Sequence, residues 1–346
     1  MRLSTRFAAA ATALVLAGTL AACGSDEVNV GDGAGDVAKV EPATALASPP
    51  ETGQPTGLVV PAAAGTALAQ SGSTVAVLGD DGVVRLHTAP GAADTPAPRE
   101  VAAKQVSALI ADGDGFLIAS PEQLSRVAAD GTVTKVADAQ GEVLSLGRTD
   151  DRILVGTADG HLRVLTRSGE LKRDIHDFVR VDEILVAPAA ADWGDLVVVL
   201  DRAQSLVAPV DIATGSRKAA LRSGNGATEG IVDSYGRVLV SNTRDSEIIG
   251  FFGQPIVMRF RAPVADGPYA LAWDEQQKLL WVSTTGNNAA IAFDLSTGEP
   301  RERARIATVG QVSAISVDPS NGMLYLLSAR GDGLQAVPRT AVDADR

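Results

Sequence analysis

Short apolar runs bounded by Gly, Asp, Asn and Pro recur along most of the chain: STVAVLG (73–79), GFLIAS (115–120), RILVGT (152–157), DLVVVL (195–200), RVLVSN (237–242), KLLWVS (278–283) and MLYLLS (323–328). Runs this short, β-branched and turn-bounded are strands, and their continuous apolarity means that both faces are covered. Their starts lie 37–45 residues apart. A period of about 42 residues is that of a four-stranded propeller blade.

The flanking text agrees with this reading. Before the apolar runs come QVSALIAD, GATEGIVD, GPYALAWD and QVSAISVD, which align without a gap and end in Asp. After them come VVRLHTA, HLRVLTRSG, SLVAPVDIATG and AIAFDLSTGE, then the more polar TVTKVADA, RKAALRSG, IVMRFRAP and RERARIAT. Each unit therefore reads as inner, second, third and exposed outer strand. QVSALIADGDGFLIAS (105–120) and its near-copy QVSAISVDPSNGMLYLLS (311–328) are strand pairs of the second and seventh units, not a duplicated domain. The turns DIATGS (211–216) and DLSTGE (294–299) place Gly where a tight turn needs positive φ.

Seven units fit between about Leu58 and Thr340, and the last has only three strands after Gln311. An open ring would expose unpaired strand edges and bare apolar faces. GLVV (57–60) is a suitable missing outer strand. The expectation is an all-β, seven-bladed β-propeller of four-stranded antiparallel blades, its N-terminal strand closing the last blade. Six- and eight-bladed rings are the alternatives, because residues 61–70 are weakly patterned.

The N-terminus has another character. Arg2 and Arg6 precede an uncharged apolar run that ends in LAAC (Leu20–Cys23), the order of a secretory signal peptide that is short for a membrane span. LAAC resembles the lipobox of bacterial lipoproteins, and the resemblance implies that Cys23 receives diacylglycerol and fatty acyl chains such as palmitate. The organisation expected is signal peptide 1–22, lipidated Cys23 and a flexible Gly/Pro/Ala-rich tether 23–56, propeller 57–340 and tail 341–346. Asp32-Gly33 in the tether lacks the ligand alternation of an EF-hand loop.

Charge and composition narrow the partners. With 30 basic against 42 acidic groups, a net −12, the chain is a poor ligand for nucleic acid or for unaided adhesion to anionic headgroups. Cys23 is the only Cys, so no disulfide supports the fold. The excess of Arg over Lys and the abundance of Ala match a high-GC, actinobacterial composition.

GPYALAWDEQQKLLWVSTTGNNAAIAFDLSTGE (267–299) resembles the repeat of YVTN-type, YncE-like bacterial propellers, and the pattern extends over most of residues 58–340. The WD40 signature is absent: no Gly-His precedes the blades, and Trp273-Asp274 falls at the end of an inner strand. Together with the lipobox and tether, the chain resembles actinobacterial cell-envelope lipoproteins. That implies a membrane-anchored, extracytoplasmic protein.

Candidate chemistry is sparse. His87, His161 and His176 are placed in different blades, which gives no shared metal site. No Gly-x-Ser-x-Gly elbow, Walker loop or HExxH motif occurs. Arg330-Gly331-Asp332 reads as a β-turn between strands. Inner-strand starts should line one rim of the central channel, where Gln105, Ser107, Glu142, Asp182, Glu183, Thr228, Glu229, Tyr269, Gln311 and Ser313 fall. Of these, Gln105, Glu142, Glu183, Glu229, Tyr269 and Gln311 are the candidate ligand-binding residues. A polar rim is also what any water-facing channel end presents.

Two functions compete. One is a non-catalytic binding or scaffolding module for an envelope protein, glycan or lipid, monomeric and without cofactor. The other is a hydrolase resembling the propeller lactonases, in which acidic and amide side chains around a Ca²⁺ polarise a carbonyl. Glu142, Glu183 and Glu229 would then supply the carboxylates, with Asn242, Asn287 and Asn288 reaching the ion only if their loops fold inward. The binding module is the expectation; no catalytic residue and no metal ligand is assigned.

Overall fold

The computed structural model describes residues 39–50, 53–89, 96–187 and 196–344; the leader and Cys23 lie outside the described residues. After β1 (Leu58–Val60), blade 1 holds β2 (Gly65–Ser71), β3 (Thr74–Gly79), β4 (Val84–Thr88) and β5 (Arg99–Glu100). Blade 2 holds β6 (Ala108–Asp112), β7 (Gly115–Ala119), β8 (Gln123–Val127) and β9 (Val133–Asp138). Blade 3 holds β10 (Val143–Arg148), β11 (Arg152–Thr157), β12 (Leu162–Thr166) and β13 (Leu171–Ile175). Blade 4 has β14 (Glu183–Val186), β15 (Val197–Asp201), β16 (Leu206–Asp211) and a split outer edge, β17 (Ser216–Arg217) and β18 (Leu221–Arg222), both paired with β16.

Blade 5 holds β19 (Ala227–Val232), β20 (Val238–Asn242), β21 (Glu247–Phe252) and β22 (Val257–Pro263). Blade 6 holds β23 (Pro268–Asp274), β24 (Leu279–Thr284), β25 (Ala289–Asp294) and β26 (Arg301–Ala307). Blade 7 holds β27 (Val312–Val317), β28 (Leu324–Ser328) and β29 (Leu334–Val337), and β1 supplies its fourth strand. The pairing of β1 with β29 sets Leu58 opposite Ala336 and Val60 opposite Leu334. The chain is thus a seven-bladed β-propeller closed by its N-terminal strand, and the weakly patterned stretch before residue 71 is the inner strand of blade 1.

Second strands are continuous apolar runs because each is covered on both sides. Seven apolar clusters occupy the seven seams between neighbouring blades. One packs Val75 and Val77 of blade 1 against Tyr325 and Leu327 of blade 7, so the first and last blades share a core like any other pair. A short helix, α1 (Arg339–Ala344), follows the last blade, with Val342 buried in the seam of blades 6 and 7.

The Asp that ends so many inner strands has a structural task. Asp233 Oδ1 accepts the Tyr235 and Arg237 amides at 2.9 and 3.0 Å, Asp274 Oδ1 those of Gln276 and Gln277 at 2.9 and 3.0 Å, and Asp318 Oδ1 that of Ser320 at 2.8 Å. Each carboxylate is buried and satisfies the amides of the turn into the second strand. At the other kind of turn, Gly215 and Gly298 adopt φ of +80° and +85°, as the DIATGS and DLSTGE patterns require. Arg330-Gly331-Asp332 lies in the turn between β28 and β29, where Arg330 and Asp332 pair with each other and Asp332 Oδ2 accepts the Gly310 amide at 3.1 Å.

Residues 39–50, expected within the tether, lie on the propeller as a strap and belong to the same compact unit, Val37–Arg346. The Val40 amide donates to the Ala203 carbonyl at 2.8 Å, and Arg244 Nη2 donates to the Glu41 carbonyl at 2.8 Å. Ser48 and Pro49 are bonded to blades 6 and 7. The strap therefore passes over the turns of blades 4 to 7 on the rim face before the chain becomes β1.

Candidate functional site: the channel mouth

Five of the seven inner strands begin with a β-bulge. The extra residue falls at Thr66, Leu144, Thr228, Ser313 or, in blade 6, within Tyr269-Ala270. A bulge bends the strand and re-aims the side chains next to it, here at the end of the strand that borders the channel. Glu183 opens β14, Glu229 is the third residue of β19 and Tyr269 the second of β23.

Arg202, in the turn between β15 and β16, joins these three residues. Its Nη2 donates to Glu183 Oε1 at 2.5 Å and to Glu229 Oε1 at 2.7 Å. Glu183 Oε2 accepts the Gly230 amide at 2.8 Å. Beside them Arg180 Nε and Nη2 donate to Asp182 Oδ1 at 3.1 and 3.0 Å. The channel mouth around this cluster has a volume of about 590 Å³ and is lined in addition by Thr66, Ser107 and the apolar Leu109, Leu146 and Ile231.

Protein surrounds the cluster, yet the side chains of Glu183, Arg202 and Glu229 keep 16, 22 and 28% of their surface accessible because the channel is open. Burial and the neighbouring Glu183 push the Glu229 carboxyl well above the ordinary range, against the opposing pull of Arg202. Burial works against the Arg202 charge, but Glu229 and Glu183 outweigh it and hold the guanidinium cationic. Tyr269 is pushed up to about 12 by burial, with Glu229 adding to the effect, so its phenol stays neutral. The guanidinium of Arg202 thus faces two carboxyl groups that it bridges through one nitrogen. Arg202 Nε is buried without a hydrogen-bond partner among the described residues.

Of the six sequence candidates, Glu183, Glu229 and Tyr269 come together. Gln105 is exposed, with φ of 53°, outside the cluster. Glu142 is exposed, and its carbonyl accepts the Ala158 amide at 2.9 Å. Gln311 is turned to the strap, which its amide holds. Arg202 was missed, although a signal existed. At the equivalent position after the other second strands stand Asp80, Ser120, Ala158, Thr243, Thr285 and Ala329, so Arg202 is the one long cation of the repeat.

The residues do not suit a Ca²⁺ centre of the lactonase type. Such an ion needs six or more oxygens free to turn toward it, and here a guanidinium already takes the facing carboxylate oxygens. The amides are engaged elsewhere: Asn242 with Gly226, Asp245 and Glu247, Asn287 with Asp266, and Asn288 with Pro49. The histidines need one correction. His161 and His176 share blade 3, with ring centroids 5.8 Å apart, because the turn before β12 and the end of β13 meet at one corner. His161 Nδ1 is 2.7 Å from Asp174 Oδ1, yet no group of three or more His, Cys, Asp or Glu is arranged to hold a metal among the described residues.

A larger open cleft of about 1200 Å³ lies on the opposite face, beside Tyr235, Arg237, Lys278, Asp294 and Arg303. Its charges are paired locally, Arg237 with Asp233, Lys278 with Glu275 and Arg303 with Asp294. Charged groups of separate blades also meet at Asp112, which pairs with Arg126 of blade 2 and Arg167 of blade 3; we take the channel mouth, where charged groups of blades 4 and 5 line one concave opening at the ring axis, as the candidate site.

Fold and site define a closed β-propeller with a charged mouth in which one arginine bridges two carboxyl groups. No protein-family model and no curated protein matches the chain. Among solved structures it is similar to a chain of Kuenenia stuttgartiensis hydrazine synthase, with 14% identity, a TM-score of 0.66 and coverage of 84% of this chain and 99% of that one. It is likewise similar to a chain of a mitotic checkpoint complex, with 13% identity, a TM-score of 0.65 and coverage of 87% and 98%. At such identities the likeness concerns the fold alone.

Proposed function

We propose that the chain is a cell-envelope lipoprotein, carried at the extracytoplasmic face of a membrane by a lipidated Cys23, whose propeller is a non-catalytic binding module for an envelope protein or glycan. The ligand is engaged at the channel mouth by Glu183, Arg202, Glu229 and Tyr269. The observation that carries this reading is the convergence of Glu183, Arg202 and Glu229, from blades 4 and 5, on one concave opening, with Tyr269 of blade 6 beside them. Arg202 bridges the carboxyl groups of Glu183 and Glu229, so the mouth offers hydrogen-bond donors and acceptors to a polar group. A carboxyl pair bridged by a guanidinium is a recognition surface; it has neither an activated nucleophile nor an open metal position.

The test has two arms. Cys23→Ala should move the protein from the membrane fraction to the soluble fraction and abolish incorporation of a palmitate analogue. In recovery from envelope extracts, the native propeller should retain a partner that the Glu229→Gln, Tyr269→Phe variant, folded and no less stable, loses. Equal recovery of every partner by both proteins would remove the channel mouth from consideration.

A further inference from the structure

A different part of the rim, between blades 6 and 7, grips the strap by its backbone. Gln311 Nε2 donates to the Leu46 carbonyl at 3.0 Å and its Oε1 accepts the Ser48 amide at 3.0 Å. In an extended chain the carbonyl of one residue and the amide two positions on point to the same side, so one side-chain amide reads the strap as a neighbouring strand would. The Ser48 hydroxyl donates to the Thr285 carbonyl at 2.7 Å and accepts the Gln311 amide at 2.6 Å. Asn288 Nδ2 donates to the Pro49 carbonyl at 3.1 Å. Leu46 lies over Gly267, where a Cβ would come within 2.6 Å of its Cγ.

These contacts specify a sequence as well as a shape. The Gln311 pair accepts any extended backbone, the two bonds to the hydroxyl select Ser, and Pro favours the extended form in itself and in the residue before it.

We propose that this rim is a peptide-recognition groove, filled in cis by residues 46–49 and fitting an extended partner segment in which Ser is followed by Pro. The site is separate from the channel mouth, and the proposal does not depend on the function assigned to that mouth. The cis strap acts as a competitor that a partner segment must displace.

The test uses the full chain and a labelled peptide with the sequence of residues 44–51, TALASPPE. Ser48→Glu removes the hydroxyl that occupies the groove in cis. Gln311→Asn shortens the reading amide while keeping a residue that tolerates the left-handed φ of 54° found there. Exchange of the Ser48-position amide should quicken at least tenfold in Ser48→Glu, and that variant should bind the peptide at least tenfold more tightly than the native chain. Ser48→Glu, Gln311→Asn should lose the gain. Unchanged amide exchange in Ser48→Glu would mean that these contacts do not hold the strap and would overturn the proposal. So would a released strap with no peptide bound, or equal binding by the single and double variants.

Discussion

The Ser313 hydroxyl donates to the Gly65 carbonyl at 2.7 Å, joining the inner strands of blades 7 and 1 across 248 residues of sequence. The same device recurs around the ring. Ser145 Oγ donates to the Val181 carbonyl at 2.8 Å and Ser241 Oγ to the Tyr269 carbonyl at 2.7 Å. Hydroxyls at strand ends thus tie each of these blades to the next, where a bulge or a blade junction leaves carbonyls without a ladder partner.

Ser313→Ala should therefore cost about 1 kcal/mol, the net worth of one such hydrogen bond. Gly65→Ala should cost more, because a Cβ there would lie 2.5 Å from Leu327 Cδ2 and 3.1 Å from the Leu78 carbonyl oxygen. Thermal unfolding of both variants checks the order. If Gly65→Ala were the milder change, the close approach of blades 7 and 1 at this point would be wrong.

Ring closure has a second fastener in Gln335, fully buried in β29. Its Nε2 donates to the Thr56 and Ala307 carbonyls at 2.7 and 2.9 Å, and its Oε1 accepts the Val309 amide at 2.9 Å. Gln335→Leu keeps much of the volume but leaves the Thr56 carbonyl and the Val309 amide unpaired, while the Ala307 carbonyl keeps the Thr56 amide, a loss of about 2–4 kcal/mol if two desolvation penalties add. Because Thr56 lies just before β1, the variant should also be cut by protease near residues 53–60 sooner than the native chain. An unchanged cleavage pattern with lowered stability would separate Gln335 from closure.

Much of this architecture was legible as pattern. The second strands announced themselves because their burial on both faces needs unbroken apolar runs, and the missing outer strand followed from the need to close a ring. The inner strand of blade 1 was obscure because Gly65–Ser71, GTALAQS, carries one bulky apolar residue, and its faces are finished by neighbours rather than by its own side chains. The bulges were invisible, since register belongs to a pair of strands and not to either sequence. The strap left no apolar signature because it is held through its backbone and one hydroxyl. Glu183, Glu229 and Tyr269 were found by aligning strand starts. Arg202 needed the same alignment applied to the turn on the other side of the second strand.

Removal of Arg202 should show how tightly the mouth is coupled. Arg202→Met leaves Glu183 and Glu229 facing each other without a cation, and breaking a buried ion pair from one side costs about 3–5 kcal/mol. The open channel places this case toward the lower end, about 3 kcal/mol. Adding Glu229→Gln removes the contact between the two carboxyl groups and should recover part of that loss. Thermal melts of the single and double variants give the comparison, and additive losses would mean that the three groups do not act as a set.

The raised Glu229 carboxyl makes a prediction about pH whose sign is fixed by linkage. Below its ordinary value of 4.5, the group is protonated in both folded and unfolded chains and contributes nothing. As pH rises above that value the unfolded chain releases the proton while the folded chain keeps it, so stability falls until the folded carboxyl also ionises. The groups facing Glu229 are Glu183, Arg202 and Tyr269; Arg202 stays cationic and Tyr269, pushed up to about 12, stays neutral throughout this window. Glu229→Gln keeps an oxygen for Arg202 and removes the titration. The variant should match the native chain near pH 4, to within the effect of the substitution itself, and melt progressively higher than it as pH rises above 4.5, until the folded carboxyl ionises. A melting difference that is flat from pH 4 to 8, or that favours the native chain at the alkaline end, would mean that Glu229 ionises as readily in the folded mouth as in water.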